Sequence, residues 1–211
     1  MPASLQRVIL HGPPPPADAG WGGGDDGGDT GRANSFAGLF VLLAASAVSF
    51  AALTGAFVVR RNLSDIYDWT GVHYPPILFL NTAILLGSSF VLDLARRALK
   101  AGDRSKFNFR WSAAAALGVL FLIGQAAAWY QLKQAGVFIA TNPASSFFYV
   151  FTAAHALHLI GGVAALVYVA VQSLRLRLGP ARRTAIDVAA IFWHFLDGLW
   201  LYLMVLFYVW G

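Results

Sequence analysis

The sequence contains no cysteine, so disulfides, thiolate zinc sites, iron-sulfur clusters and cysteine nucleophiles are excluded by count. Any metal or heme would need histidine, and only His11, His73, His155, His158 and His194 are available. Charge is also scarce: 12% of residues are charged, about half the usual share of a soluble domain, roughly 25%. What fills the space is apolar, 58% of the chain, and that excess needs something other than water to face. The formal net charge of +5 does not mark a basic binding surface, because the cations sit in loops between apolar runs. No nucleic-acid partner is expected.

Residues 1–35 differ from the rest, with four prolines at Pro13–Pro16 and a Gly/Asp stretch from Gly20 to Gly31. This composition predicts a disordered tail. It does not read as a secretory signal, since no apolar core follows Arg7, nor as a transit peptide, given Asp25, Asp26 and Asp29. Residues 36–211 form the membrane domain. Five apolar runs lie at 36–59, 76–95, 111–132, 146–172 and 186–210, each able to cross about 30 Å of hydrocarbon as a helix of about 20 residues. Pro75-Pro76 and Pro143 mark helix starts, where a missing N–H costs least. The predicted fold is therefore all-α, a polytopic bundle of five transmembrane helices.

Lys and Arg divide 12 to 3 between alternate sides, the larger group comprising the tail, the Arg96–Arg110 loop and the Arg175–Arg183 loop. By the positive-inside rule the N-terminus is cytoplasmic and the C-terminus outside. Small residues such as Ala113–Ala116, Gly118 and Gly161-Gly162 mark places where helices approach closely. Trp69, Trp111, Trp129, Trp200 and Trp210 fall near predicted span ends, where amphipathic rings form interfacial belts.

Polar groups inside a span each ask for a partner or a role. These are Asn81, Gln125, His155, His158, His194 and Asp197, read first as interhelical hydrogen-bond glue. Heme ligation as in a membrane anchor is the sharper alternative. His155 and His158 share one side of a helix, and helix counting puts His155 and His194 about 12 Å apart in depth, too far for one iron. A transporter is disfavoured because no span interior is broken by proline and no repeat relates two halves. The same counting brings His158 and Asp197 within about 3 Å in depth, which predicts a contact between them.

The run Phe192-Trp193-His194-Phe195-Leu196-Asp197-Gly198-Leu199-Trp200, closing on Phe207-Tyr208-Val209-Trp210, resembles the last helix of subunit III of the heme-copper respiratory oxidases. The fourth run adds Ser146-Phe147-Phe148, Thr152, His155, Leu157-His158 and Gly161-Gly162. The second adds Leu80-Asn81-Thr82 and Ser88-Ser89, and the third adds Gln125 with Trp129-Tyr130. Four motifs in the family's order cover residues 36–211, in the manner of a five-helix form that lacks the first two of seven helices. The resemblance departs at Ser46-Ala47, where the family has Ser-Glu, and at Ala128, where it has Glu after Gln-x-x.

The resemblance implies a non-redox subunit with no active site of its own, in a bacterial cytoplasmic membrane. Its partners would be oxidase subunit I, which carries heme and copper, subunit II and membrane lipid, with structural phospholipid held in a cleft. In relatives it supports sustained proton uptake, a role that the missing glutamates do not let Ala47 or Ala128 inherit. Subunit III of a quinol oxidase and an accessory subunit of a nitric oxide reductase share these motifs and stand as alternatives.

Overall fold

The computed structural model describes residues 26–63, 75–175 and 180–210. They form five helices: α1 (Asp26–Asn62), α2 (Ile77–Lys100), α3 (Arg104–Gln134), α4 (Pro143–Leu174) and α5 (Pro180–Trp210). Each is long and apolar enough to cross a bilayer. A helix satisfies its own backbone hydrogen bonds, which hydrocarbon cannot do for it. The expected all-α bundle of five spans is observed. The boundary drawn at residues 35 and 36 falls inside α1, which starts at Asp26, ten residues before the apolar run opens. Two local contacts accompany this extension: Ser35 Oγ donates to Gly31 O at 2.9 Å, and the Arg32 guanidinium lies 5.8 Å from the Phe36 ring centre. Residues 1–25 lie outside the described residues.

Local sequence sets where the helices stop and start. The α2–α3 connection is three residues long, and Gly102 makes it possible by adopting φ +80°. Gly102 N donates to Leu99 O and Asp103 N to Ala98 O, the paired bonds of a Schellman stop. Asp103 then caps α3 by accepting from Lys106 N at 2.9 Å. Gly136, at φ +77°, closes α3 in the same way, with Val137 N bonded to Leu132 O at 2.9 Å. Asn142 and Ser145 form a reciprocal capping box at the start of α4, with Pro143 in the first turn. The prolines mark helix starts, as expected.

The core lies along α5, half of whose apolar window is buried, against 17% for α1. On α2 the buried positions Leu78, Asn81, Leu85, Ser88, Leu92 and Ala95 recur every three or four residues, forming one inward seam. On α1 the inward seam is thinner: Leu39, Ser46, Phe50 and Phe57 are buried, with Phe36, Leu43, Leu53 and Val58 partly buried beside them. Phe57 meets Phe147 edge-on at 5.4 Å between ring centres, and Thr54 Oγ1 lies 2.7 Å from the Tyr202 hydroxyl. Because lipid is as apolar as these side chains, close packing and interhelical hydrogen bonds hold the helices together rather than water exclusion.

Glycines set the closest approaches. A β-carbon at Gly118 would stand 2.4 Å from the Trp193 ring, and one at Gly162 would stand 3.0 Å from Leu196. At Gly124 it would fall 2.0 Å from Asn81 Oδ1. The tryptophans correct one expectation. Trp111 and Trp200 are fully buried and bind across the bundle, Trp111 Nε1 to Leu166 O at 2.9 Å and Trp200 Nε1 to Thr82 Oγ1 at 3.0 Å. Trp129, half-buried, donates to Thr152 Oγ1 at 3.1 Å. A ring near a span end still turns inward when an acceptor lies opposite on a neighbouring helix. Trp69 and the Trp210 side chain lie outside what is described.

Candidate functional site

Six in-span polar residues sort into three places. The first is the core between α2, α3 and α4. Asn81 is buried with its amide against Gly124, and its Nδ2 has no hydrogen-bond partner among the described residues. Gln125, one residue further on, is 2% exposed with both amide atoms likewise unpartnered. His155 is 1% exposed, its ring 5.2 Å from Trp200 and 6.3 Å from Phe121, and neither nitrogen has a partner. Ala128, where the family places glutamate, is fully buried on the same face as Gln125, whereas Ala47 is exposed on α1.

The second place is a cleft between α1, α4 and α5. It has a volume of about 530 Å³, and its lining includes Gly38, Leu42, Leu157, Gly161, Tyr168 and Phe192, with His158 as the one imidazole. His158 Nδ1 lies 2.8 Å from the Ala154 carbonyl one turn back, and its ring meets Phe50 edge-on at 5.7 Å.

The third place is the seam of α2 with α5. Ser89, Asp93 and Arg96 fall at i, i+4 and i+7 on α2, one stripe down one face. Asp187, His194 and Asp197 form the facing stripe on α5. Arg96 Nη2 lies 3.1 Å from Asp187 Oδ1, and Arg96 Nη1 3.8 Å from Asp93 Oδ1. His194 joins both ends of the row, with Nε2 3.3 Å from Asp93 Oδ1 and Nδ1 2.9 Å from Ser89 Oγ. Ser89 in turn donates to Asp197 Oδ2. The row passes from Asp93 and Asp187, whose side chains are half-exposed, to the buried Asp197.

This arrangement overturns the expected pairing of His158 with Asp197. Depth along the span is one coordinate, and rotation about the helix axis is another. Trp193 and Leu196 turn toward Gly162 of α4, and Trp200 toward His155. Asp197 and His194 are left on the side facing α2. The partner of Asp197 is Ser89, and His158 bonds its own helix.

Sequence reasoning missed Asp93 and Asp187, although both lie inside the apolar runs 76–95 and 186–210. A carboxylate in a run with a hydroxyl four residues earlier, as in Ser89 and Asp93, was the available signal. Arg96 was counted only as a loop charge. Among the described residues no group of three or more His or Asp side chains is placed to hold a metal ion.

Five apolar helices joined by tryptophan and serine bonds, with polar residues buried between them, define a multi-pass membrane protein. Residues 36–211 match the sequence profile of the family described as Cytochrome c oxidase subunit III, and the chain belongs to that family. It is similar to cytochrome c oxidase subunit 3 of Thermostichus vulcanus, 31% identical over 175 residues, covering 82% of this chain and 85% of the relative. The subunit 3 of Corynebacterium diphtheriae is 31% identical over 175 residues, 81% and 85% of the two chains. That of Sus scrofa is 35% identical over 153 residues, 71% of this chain and 58% of its own length. The resemblance carried by the Trp-His-Phe and His-x-x-His motifs was therefore sound.

Proposed function

We propose that the chain is the non-redox subunit III of a respiratory heme-copper terminal oxidase in a bacterial cytoplasmic membrane, where it stabilises subunit I and holds structural phospholipid. The observation that carries this reading is the family match across all five spans. Heme and copper belong to the partner subunits in this reading, and this chain supplies scaffold. The N-terminus is cytoplasmic and Gly211 outside, supported by the 12 to 3 division of basic residues.

The cleft beside α1 supports the lipid role. Its walls are mostly apolar side chains and glycine backbone, which suit acyl chains, with His158 and Tyr168 the polar exceptions, and α1 closes only one side of it. Gly161 offers a way to fill it, because a β-carbon there meets no atom within 4 Å.

The test is purification through a tag on this chain in mild detergent. Oxidase subunits I and II should co-purify with a heme spectrum, and phospholipid should remain bound to the wild type but less to Gly161→Leu. Recovery of the chain without any heme-bearing polypeptide would overturn the reading.

A further inference from the structure

We propose that Asp93, His194, Ser89 and Asp197 form a proton-loading relay, which takes a proton at the half-exposed end of the α2–α5 seam and places it on the buried Asp197. With Asp197 ionised, the single hydroxyl hydrogen of Ser89 is donated to Asp197 Oδ2. The 2.9 Å contact with His194 therefore needs Nδ1–H to donate to Ser89 Oγ. The other ring nitrogen, Nε2, is left facing Asp93 at 3.3 Å.

A proton arriving at Asp93 and passing to Nε2 makes His194 an imidazolium between two carboxylates. Its Nδ1 proton then transfers to Ser89 Oγ as the Ser89 proton transfers to Asp197 Oδ2. One N–H bond breaks and one O–H bond forms on serine, while serine's original O–H breaks and a carboxylic O–H forms on Asp197. The result is a neutral imidazole with its proton on Nε2, a serine donating back to Nδ1, and a protonated Asp197 donating to Ser89. Charge and hydrogen count balance, and no other reactant is needed. Each atom in the row is both a donor and an acceptor in turn, which glue alone does not require.

Position supports the direction. Asp187 and Asp197 are ten residues apart on α5, about 15 Å along the axis, so the row spans from near the end of the helix into its middle. Side-chain exposure falls along it from 49% at Asp93 to 34% at His194, and Asp197 is buried. Arg96 bridges Asp93 and Asp187 at the outer end. Among the described residues α1, α3 and α4, the other helices that touch α5, place no charged group in hydrogen-bond or ion-pair contact with His194 or Asp197. Asp197 Oδ1 has no hydrogen-bond partner among the described residues, so the row ends on this carboxyl.

The experiment is time-resolved infrared spectroscopy after an acid jump, on the full chain with the subunits that co-purify with it. Subtracting the Asp197→Asn spectrum isolates the carboxylic-acid carbonyl band of Asp197. The band should appear promptly in the wild type, roughly 100-fold more slowly in Ser89→Ala, and at near the wild-type rate in Ser89→Thr, which keeps the hydroxyl. His194→Gln, which cannot pass a proton between its two ends, should be as slow as Ser89→Ala and serves if that variant fails to fold. Equal rates in wild type, Ser89→Ala and His194→Gln, or no Asp197 band at any pH, would overturn the relay.

Discussion

Gly118 of α3 and Trp193 of α5 are in direct contact, so close that a β-carbon on residue 118 would stand 2.4 Å from the indole Cη2 and 3.2 Å from Val163. The indole is fully buried and has no room to retreat. Gly118→Ala should therefore destabilise the bundle by about 1–3 kcal/mol, the usual cost of overpacking. Gly55→Ala, where the added carbon meets nothing within 4 Å, should be neutral or slightly stabilising. Thermal unfolding of the two variants in the same detergent makes the comparison.

His194 ties α5 to α2 through two nitrogens, one on Ser89 and one on Asp93. His194→Phe removes both contacts, leaving Ser89 with Asp197 alone and Asp93 with Arg96 alone. A loss of about 1–3 kcal/mol is expected. His158→Phe should cost less, because its polar contact is to a carbonyl of its own helix that is already used in the helix ladder. Equal losses in the two variants would mean that the α2–α5 seam contributes nothing specific.

Asp103 stands just before the α3 span and titrates in water. The Lys106 side chain bonded to it, together with the Lys106 backbone N–H, holds its carboxyl below the ordinary aspartate value. Since the folded value is the depressed one, its contribution is present above the ordinary aspartate range and is lost as pH falls through the folded value. Asp103→Asn keeps the cap but removes the charge, so it should flatten the acid limb of the stability curve. Denaturation midpoints measured from neutral pH down through the carboxylate range check this, and an unchanged acid limb would contradict it.

The proposed orientation rests on the basic loops. A reporter active only in the cytoplasm should work when fused in the Arg96–Arg110 or Arg175–Arg183 loop and fail after Gly211. Activity from the Gly211 fusion would reverse the assignment.

Much of this architecture was legible in the residues alone. Long uninterrupted apolar runs leave a chain only one way to satisfy its backbone in lipid, so the five spans could be read directly. Pro76 and Pro143 then mark helix starts by their own backbone limits, whereas the helix ends at Gly102 and Gly136 show only in the structure. The site was legible in one dimension. Counting residues gives depth, and it put His158 beside Asp197. Rotation is decided by which side chains fit against the glycines, and Trp193 against Gly118 and Gly162 fixed it the other way. Acceptors on facing helices hold Trp111 and Trp200 inside, where position near a span end had suggested the lipid interface. Asp93 and Asp187 escaped notice because each sits near the end of an apolar run whose overall character hides one carboxylate.

A non-redox scaffold makes one demand above the others: the color must lie elsewhere. Purified complex should be treated with a detergent that releases this chain, and the two fractions compared by absorbance and thermal unfolding. The Soret band should remain wholly with the larger fraction, which should unfold at a lower temperature than the intact complex. A Soret band that travels with this chain, or a larger fraction as stable without it as with it, would contradict the account.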